Sequence, residues 1–298
     1  GPMDRRRGRR FPSERWNMKE IKDMSRDLLE RREVDGVLGL RQGAYDIVEP
    51  HVFRDPGETS LLVTEPKWPL AKTAVKVLRD APEGFRLAVV ARGCDERALT
   101  ELAKRNQVLD RNLRIIGVAC TEARAKECLC DRPYPREIHG GTQEPGVDPF
   151  EDPRVRALLE GDSRERMTRW ASLLRRCIKC YGCRNACPIC VCVPCKLEDE
   201  IWVEKGSIPA EMLVFHLIRA FHLSDTCVAC GACQEACPVF IPLLSLQLAM
   251  RRTLKEEYGY EPGMERDRRS PVLKNIFEEP GTRRSVPAWV SPLEENHD

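Results

Sequence analysis

The sequence predicts an α/β domain with a parallel sheet in its N-terminal half and a smaller α+β domain with flanking helices in its C-terminal half. Two observations carry this prediction. An apolar strand, a helix and a second apolar strand follow one another over residues 85–118, an order typical of a βαβ crossover between parallel strands. Further along, one cysteine spacing occurs twice, over residues 177–188 and 227–238, which indicates a domain organised around two similar loops.

The predicted α/β domain covers residues 18–135. It begins with a surface helix, because Ile21, Met24, Leu28 and Leu29 have helical spacing among charged residues. Glycine and proline then separate short apolar segments, as they do between strands. The predicted elements, in chain order, are a helix over 18–32, strands over 37–40, 46–53 and 61–64, a helix over 69–78, a strand over 85–90, a helix over 96–105 and a strand over 113–118.

Each cysteine run reads C-x2-C-x2-C-x3-C-P, with Pro188 or Pro238 after its last cysteine. Bacterial ferredoxins wrap cubane iron–sulfur clusters with this spacing, and in the two-cluster arrangement the fourth cysteine of each run binds the other cluster. We therefore predict a ferredoxin-like domain over residues 153–258 that holds two 4Fe–4S clusters. The predicted ligands are Cys177, Cys180, Cys183 and Cys237 for the first cluster, and Cys227, Cys230, Cys233 and Cys187 for the second.

Zinc and disulfides are the alternatives for these cysteines. Paired C-x2-C knuckles build four-cysteine zinc sites, but zinc has no use for the third cysteine of each run or for the C-P step. Disulfides are disfavoured because no signal peptide precedes the cysteines and their number, fifteen, is odd. Cysteines kept as thiolates for metal imply a reducing compartment, so the expected localisation is cytoplasmic.

Four further cysteines fall within the predicted α/β domain. Cys94 and Cys120 follow the two strands of the βαβ unit, at the edge where open α/β sheets place their ligands, and Cys128 and Cys130 come a few residues later. Together they fit a third iron–sulfur cluster or a zinc ion. We predict a third 4Fe–4S cluster, because an electron-carrying protein gains from another relay station. The alternative is that Cys94 and Cys120 are ordinary buried small residues.

An insert between the two runs contains three more cysteines, Cys190, Cys192 and Cys195, in a C-x-C-x2-C pattern. Ferredoxins of minimal length lack this insert. The three thiols can line the first cluster, replace one of the predicted ligands, bind a further metal or bind nothing. The sequence leaves these alternatives open.

The remaining segments flank the two domains. Residues 1–17 form a basic arm that begins with Gly-Pro-Met, the typical remnant of a cleaved tag, and residues 136–152 form a linker rich in proline and glycine. Residues 259–298 form a polar tail with several arginines. The helices expected around the cysteine runs cover 154–159, 164–176, 208–223 and 241–258.

The composition bounds the class of protein. The chain has 298 residues, of which 42% are hydrophobic and 32% charged, with a net charge of +2 and a mean hydropathy of -0.45. These values indicate a soluble protein, and no stretch approaches the roughly 18 apolar residues of a membrane span. The balanced charge disfavours a nucleic-acid partner. No glycine-rich nucleotide-binding motif follows a strand and the histidines are scattered, so no catalytic residue is predicted.

Three stretches resemble the beta subunits of deazaflavin-reducing hydrogenases and formate dehydrogenases. They read V-A-R-G-C-D-E-R-A-L-T-E-L-A-K-R-N-Q-V over 90–108, I-I-G-V-A-C over 115–120 and C-I-K-C-Y-G-C-R-N-A-C-P-I-C over 177–190. The resemblance implies an electron-transfer subunit docked on larger redox subunits, with an extra cluster at Cys94, Cys120, Cys128 and Cys130. Family members often bind a flavin, so FAD is the further cofactor that the resemblance implies.

Together these features predict an iron–sulfur electron-transfer subunit of a multi-subunit anaerobic oxidoreductase. It would relay electrons through two ferredoxin-type clusters and a third cluster in the α/β domain, to partners that are larger redox subunits. The alternative is a flavin-bearing subunit that itself reduces a deazaflavin or a nicotinamide. A regulatory metal sensor that reaches nucleic acid through its basic arms is disfavoured, because sensing requires only one cluster.

Overall fold

A computed structural model describes residues 18–211 and 214–273. The predicted basic arm over 1–17 and the part of the predicted tail beyond residue 273 lie outside the described residues. The helices and strands, in chain order, are α1 (Met18–Glu30), β1 (Gly36–Gln42), β2 (Val48–Phe53), β3 (Leu62–Val63), α2 (Ala71–Asp80), β4 (Leu87–Arg92), α3 (Gly93–Lys104), β5 (Leu113–Val118), α4 (Glu122–Cys128), α5 (Pro153–Leu159), α6 (Ser163–Leu174), α7 (Gly182–Asn185), α8 (Val214–His222), α9 (Ala232–Glu235) and α10 (Leu243–Tyr258).

The sheet has five strands and is mixed. Its main path is β2-β1-β4-β5. β3 pairs with Leu40 and Arg41 of β1, on the side opposite β2 and past the residues of β1 that pair with β4. The pairs β1–β4 and β4–β5 are parallel, with Val37 opposite Ala88 and Val89 opposite Ile115. This central part agrees with the predicted parallel sheet and its βαβ unit.

The predicted parallel sheet is observed only in part, because β2 and β3 are both antiparallel to β1. The connection between β1 and β2 is a short turn, in which the Gly43 N–H donates to the Ile47 carbonyl at 2.8 Å. A connection this short joins only antiparallel neighbours, because a parallel pair needs a crossover of about a dozen residues. The sheet is therefore parallel in its middle and antiparallel at one edge.

The two faces of the sheet bury different residues of the same strands. Val37, Ala88 and Ile116 pack with α1 on one face, whereas Leu38 and Val89 pack with α2 and α3 on the other. This is the alternation expected of strands that are buried on both sides. β4, between β1 and β5, is buried along its whole length, so its carboxyl end is held firmly where α3 begins.

The part of the chain that carries the cysteine runs is helical. In the described residues after 140 no strand occurs, so the α+β character predicted for this domain is not observed there. The segments between the cysteines lack the alternation of apolar and polar residues that a half-buried strand needs. The helix expected over 208–223 is shorter, beginning at Val214 in the described chain, and Pro209 disfavours helical backbone at the residue before it.

The α/β part and the cysteine-rich part share one core. Leu99 and Leu102 of α3 belong to the same buried cluster as Ile189, Leu223 and Val228 from the cysteine-rich part. The predicted domain boundary in the 136–152 segment therefore separates two regions that pack directly against each other. None of the helices in the described parts of the chain has the length and apolar character needed to cross a membrane.

Candidate metal centres

The two cysteine runs have the same local structure. In each run, the second and fourth residues after the first cysteine have left-handed backbone, with φ of +48° and +57° at Lys179 and Tyr181 and of +54° and +77° at Ala229 and Gly231. A one-turn helix follows and carries the third cysteine. Left-handed residues within a turn point successive backbone N–H groups to one side, which favours negative charge there. The repeated spacing thus produces two similar concave loops.

The two loops lie against each other. α7 of the first run packs against α9 of the second. A Cβ added at Gly182 would lie 2.8 Å from the Ala236 carbonyl oxygen and 3.5 Å from the Cys180 sulfur. Glycine at this position therefore lets the backbones of the two runs approach closely, because any side chain would push them apart.

The last thiol of each run lies near the thiols of the other run. Burial raises the pKa of Cys177, and the negative charges of Cys180 and Cys237 raise it further. Burial likewise raises the pKa of Cys233 to about 12, and the charge of Cys187 adds to the effect. The structure thus brings Cys237 within electrostatic range of the first run and Cys187 within range of the second.

Burial and a cation define the surroundings of these thiols. Five of the eight are less than a tenth exposed, namely Cys177, Cys183, Cys187, Cys233 and Cys237. The Arg219 guanidinium on α8 donates to the Cys183 carbonyl at 3.1 Å. Burial lowers the pKa of Arg219, but the charges of Cys233 and Cys187 outweigh burial and leave the pKa above its ordinary value. Arg219 is therefore a fixed positive charge between the two runs.

Four more thiols meet at the carboxyl edge of the sheet. Cys94 lies in the first turn of α3 directly after β4, Cys120 follows β5, Cys128 ends α4 and Cys130 comes just after it. All four line one cavity, which is closed on one side by Ala229 and Cys230 of the second run. Burial raises the pKa of Cys230 well above its ordinary value, and the largest charge effect on it comes from Cys94. This third group of thiols is therefore adjacent to the second cysteine run.

Two glycines allow the chain after Cys130 to close over the third group. A Cβ at Gly93 would lie 2.3 Å from the Tyr134 carbonyl oxygen, and one at Gly117 would lie 1.9 Å from the Glu137 carbonyl oxygen. The Cys120 N–H donates to the Pro133 carbonyl at 2.6 Å. Residues 131–140 thus form a strap that runs along β5 and over the sheet edge, and only glycine fits beneath it.

Three cations contact the thiols of the third group. The Arg92 guanidinium lies 3.3 Å from the Cys120 sulfur, and the Lys67 ammonium lies 3.4 Å from the Cys128 sulfur. Arg97 approaches Cys130 at 3.9 Å. Burial lowers the pKa of Arg92, but the charges of Cys120 and Glu65 outweigh it and raise the pKa overall. These cations favour the thiolate forms, which are the forms that bind metal.

Asp95 in the Gly-Cys-Asp element has a structural role. Its buried carboxylate accepts hydrogen bonds from the backbone N–H groups of Leu70 at 2.7 Å, Ala71 at 3.3 Å and Arg92 at 3.3 Å. It therefore joins the start of α2 to the turn between β4 and α3. This joint holds Cys94 in place, since Cys94 is the residue between Gly93 and Asp95.

The donor sets fit cubane clusters better than single metal ions. Within the described ranges, no three His, Cys, Asp or Glu side chains converge closely enough to hold one ion. A zinc ion requires its four ligands at a single point. In a cubane each thiolate binds a different iron, so thiols that line a common cavity without meeting at a point suit it.

The three cysteines of the insert are placed differently from one another. A hydrogen bond from Cys190 lowers the pKa of Cys187, against the opposing effect of burial. Cys192 is exposed and Cys195 is half-buried. All three line a groove of about 570 Å³ between the insert and the end of α3. Cys190 thus belongs to the surroundings of the second run, whereas Cys192 and Cys195 face the groove.

Comparison with known protein families gives a match at the second cysteine run. Residues 222–241 match the family described as a 4Fe-4S binding domain. The chain contains an iron–sulfur binding domain. This match includes all four cysteines of the second run, so the interpretation of that spacing is confirmed at the level of the domain.

Two curated relatives extend the similarity. The chain is 44% identical over 110 residues to the F420-dependent formate dehydrogenase subunit beta of Methanocaldococcus jannaschii, which covers 37% of this chain and 28% of that protein. It is 43% identical over 104 residues to the F420-dependent formate dehydrogenase 1 subunit beta of Methanococcus maripaludis, covering 35% and 26%. The resemblance to beta subunits of this kind is thus confirmed, over little more than a quarter of each relative's length.

Sequence reasoning missed the cations around the third group. Arg92 gives a weak signal, because it ends an apolar strand just before Gly93 and Cys94. Lys67 gives none, since it lies in an irregular segment between β3 and α2 where a lysine is normally solvated. Only the fold places its ammonium beside Cys128.

Proposed function

We propose that this chain is the iron–sulfur electron-transfer subunit of a multi-subunit oxidoreductase. The observation that carries the proposal is the pair of equivalent cysteine loops. The second loop matches a 4Fe-4S binding domain. The last thiol of each loop lies near the thiols of the other loop. A protein that only transfers electrons needs no general acid or base. The absence of a recognisable catalytic arrangement in the sequence is therefore in keeping with this role.

The grouping of the thiols supports the predicted ligand sets. We assign the first cluster to Cys177, Cys180, Cys183 and Cys237, and the second to Cys227, Cys230, Cys233 and Cys187. The third set is Cys94, Cys120, Cys128 and Cys130, which line a single cavity. Clusters held by these thiolates supply one-electron transfer when bound.

The surrounding residues set the charge near the three sites. Arg219 stands between the first two sets, and Lys67 links the second set to the third, because its ammonium donates to the Cys230 carbonyl at 2.7 Å and lies beside Cys128. Buried positive charge offsets the negative charge of a thiolate-ligated centre. Cys230, a proposed ligand of the second cluster, also lines the cavity of the third set. The two sets are therefore neighbours, which is what electron transfer between them requires.

The partner and the domain division belong to this proposal too. Both curated relatives are named as beta subunits of formate dehydrogenases, which supports docking on a larger redox subunit. We propose an α/β domain over 18–135, a linker over 136–152 and a dicluster domain over 153–258, working in a reducing cytoplasm. The α/β domain would contribute the third centre and the dicluster domain the other two.

Counting iron tests the proposal directly. Full-length protein prepared without oxygen should contain about twelve irons and about twelve sulfides per chain, four for each of three cubanes. Replacing Cys120 with serine should lower the count to about eight, and replacing Cys233 should also lower it by about four. The matched control is Ser163→Ala on the exposed surface, which should leave the count unchanged.

Two results would contradict parts of the proposal. About eight irons in the unsubstituted chain, with one zinc that disappears in Cys120→Ser, would limit electron transfer to the two ferredoxin-type loops. Stoichiometric zinc with no iron would reject the electron-transfer function as a whole.

A further inference from the structure

The insert between the two cysteine runs carries a pair of thiols that the proposed clusters do not use. Cys192 and Cys195 have C-x2-C spacing, and the chain bends between them at Val193 and Pro194. Val193 is 86% exposed, so the bend projects into solvent. Disulfide oxidoreductases carry their redox-active thiols at C-x2-C spacing, and every other C-x2-C pair of this chain includes a cysteine of the two cysteine runs. We propose that Cys192 and Cys195 form a redox-active dithiol that reduces small, negatively charged disulfides.

The two thiols differ in how easily a substrate can reach them. Cys192 is exposed and Cys195 is half-buried. An incoming disulfide can therefore reach the Cys192 sulfur, and Cys195 follows it in the chain as the thiol that completes the reaction.

The groove beside the two thiols has the size and charge of a small-molecule site. Its volume of about 570 Å³ is within the usual range for ligand pockets. Its lining contains five basic side chains and no carboxylate; the five are Arg79, Arg105, Arg184, Lys196 and Arg219. Three of them also pair with carboxylates outside the groove, which weakens the positive field without reversing it. A positive groove attracts anions, so the substrate should carry negative charge.

The reaction is thiol–disulfide exchange in two steps. The Cys192 thiolate attacks one sulfur of the substrate disulfide, the substrate S–S bond breaks, and the released thiolate takes up a proton. The Cys195 thiolate then attacks the Cys192 sulfur of the mixed disulfide, which releases the second substrate thiol. The substrate gains two electrons and two protons, and the protein is left with a Cys192–Cys195 disulfide.

Resetting that disulfide requires two electrons and two protons. One-electron iron–sulfur carriers are a source of the electrons, and Cys190, the neighbour of the proposed ligand Cys187, lines the same groove. This resetting step rests on the proposed function. The exchange reaction itself does not, since a small dithiol such as dithiothreitol can also reset the pair.

Mass spectrometry of trapped thiols tests the proposal. The full-length protein with its iron is treated with oxidised glutathione without oxygen, alkylated and digested. We expect a Cys192–Cys195 disulfide peptide that dithiothreitol removes, with an unchanged iron content. Cys195→Ser should instead retain glutathione on Cys192, and Cys192→Ser should lose the adduct completely.

The charge of the groove is tested with two probes. Arg79→Gln should slow the reaction with oxidised glutathione by about threefold or more at low salt, and leave the reaction with neutral hydroxyethyl disulfide unchanged. The control is Lys126→Gln, because Lys126 is exposed on α4 and does not line the groove. Equal effects of Arg79→Gln on both probes would reject the preference for negative charge.

Two outcomes overturn the dithiol itself. Alkylation of both thiols after oxidised glutathione would show that no disulfide forms. Loss of about four irons in Cys192→Ser would show that Cys192 is a cluster ligand. By contrast, a reversible disulfide in a chain with too few irons would support the dithiol and contradict the proposed function, so the two failures are distinguishable.

Discussion

At the scale of residues, buried cations lie beside the thiols of the proposed centres. The Lys67 side chain is 4% exposed, but its ammonium has polar partners. It donates to the Cys230 carbonyl at 2.7 Å and pairs with Glu235 at 2.6 Å. Burial lowers its pKa, and the charges of Cys128 and Glu235 more than compensate, so the pKa is raised overall. A buried charge is tolerated only when it is paired in this way.

Removing the Lys67 charge should make the neighbouring centres harder to reduce. Reduction adds negative charge, which the ammonium stabilises, so Lys67→Met should shift the potentials of the second and third centres by about 60 mV to more negative values, equivalent to about 1.4 kcal/mol. Redox titrations followed by electron paramagnetic resonance would measure this. Lys126→Met, at an exposed position on α4, should shift neither, and equal shifts in both variants would contradict the idea.

His216 should make the stability of the protein depend on pH. Burial, assisted by Arg219, lowers the pKa of His216 to about 4, and neither ring nitrogen has a hydrogen-bond partner in the described structure. Between pH 6.5 and 4 the unfolded chain binds a proton at this histidine and the folded chain does not, so the free energy of unfolding falls as the pH falls.

The corresponding measurement compares His216→Leu with the parent chain. When the pH falls from 7 to 5, the free energy of unfolding should decrease by about 2 kcal/mol less in the variant than in the parent chain. Urea unfolding followed by circular dichroism would measure both values. His222→Leu, at an exposed position on the same helix, is the matched control. An identical pH dependence in parent and His216→Leu would show that the histidine is not neutral when folded.

The strap over residues 131–140 shows how elements position a centre. It follows the last thiol of the third group and is held to β5 through hydrogen bonds of Ala119 and Gly140, at 2.9 and 3.1 Å. Gly93 and Gly117 provide the space for it. The carboxyl ends of β4 and β5 therefore do more than present Cys94 and Cys120, because they also form the floor on which the strap lies.

A methyl group at Gly93 should disturb the third centre selectively. In Gly93→Ala the new Cβ would meet the Tyr134 carbonyl at 2.3 Å, so the strap must move. We expect the loss of about four irons per chain and the retention of the other eight. The control is Gly57→Ala, where the added Cβ meets only the Asp55 side chain, at 3.3 Å; full iron in both variants would contradict the prediction.

The elements that local patterns determine could be predicted well. β5 has the predicted bounds, and α6 and α10 differ from prediction by at most two residues at each end. α3 begins at Gly93 rather than at residue 96, and the Asp95 carboxylate accepts from the Arg92 N–H in its first turn. The same carboxylate accepts from the Leu70 N–H, 25 residues earlier in the chain. Such contacts join residues far apart in the chain, so a local pattern cannot reveal them. The same limit applies to Lys67, whereas the cysteine runs stand out by spacing alone.

The shared core makes the two halves one unit at the scale of the whole molecule. Leu223 and Val228 pack among residues of α2 and α3. Arg105, directly after α3, also pairs with Asp225 at 2.9 Å, and the buried Glu101 accepts hydrogen bonds from Tyr260 and Gly263. Both polar contacts cross between the halves. The sequence indicated two domains but could not show that they interlock, because no periodic pattern records a contact between them.

Truncating one side chain in this core should therefore weaken both halves together. Leu223→Ala should lower the free energy of unfolding by about 3 kcal/mol through the lost burial and the cavity that remains. Thermal unfolding followed by circular dichroism and by visible absorption of the iron–sulfur chromophore should give coincident transitions in parent and variant. Phe221→Ala, at an exposed position, should change neither, and two separate transitions in the parent would show that the halves unfold independently.

The strap has a consequence for how the protein matures. Its residues come immediately after Cys130, so ribosomal synthesis delivers all four thiols of the third group before the segment that covers them. Once the strap has closed on Gly93 and Gly117, it covers the side of the cavity on which it lies and blocks access to the thiols from there. We therefore expect a scaffold protein to donate iron and sulfide to a nascent or open chain, with closure of the strap as the last step. A chain folded without iron should consequently load this centre more slowly than the two cysteine runs.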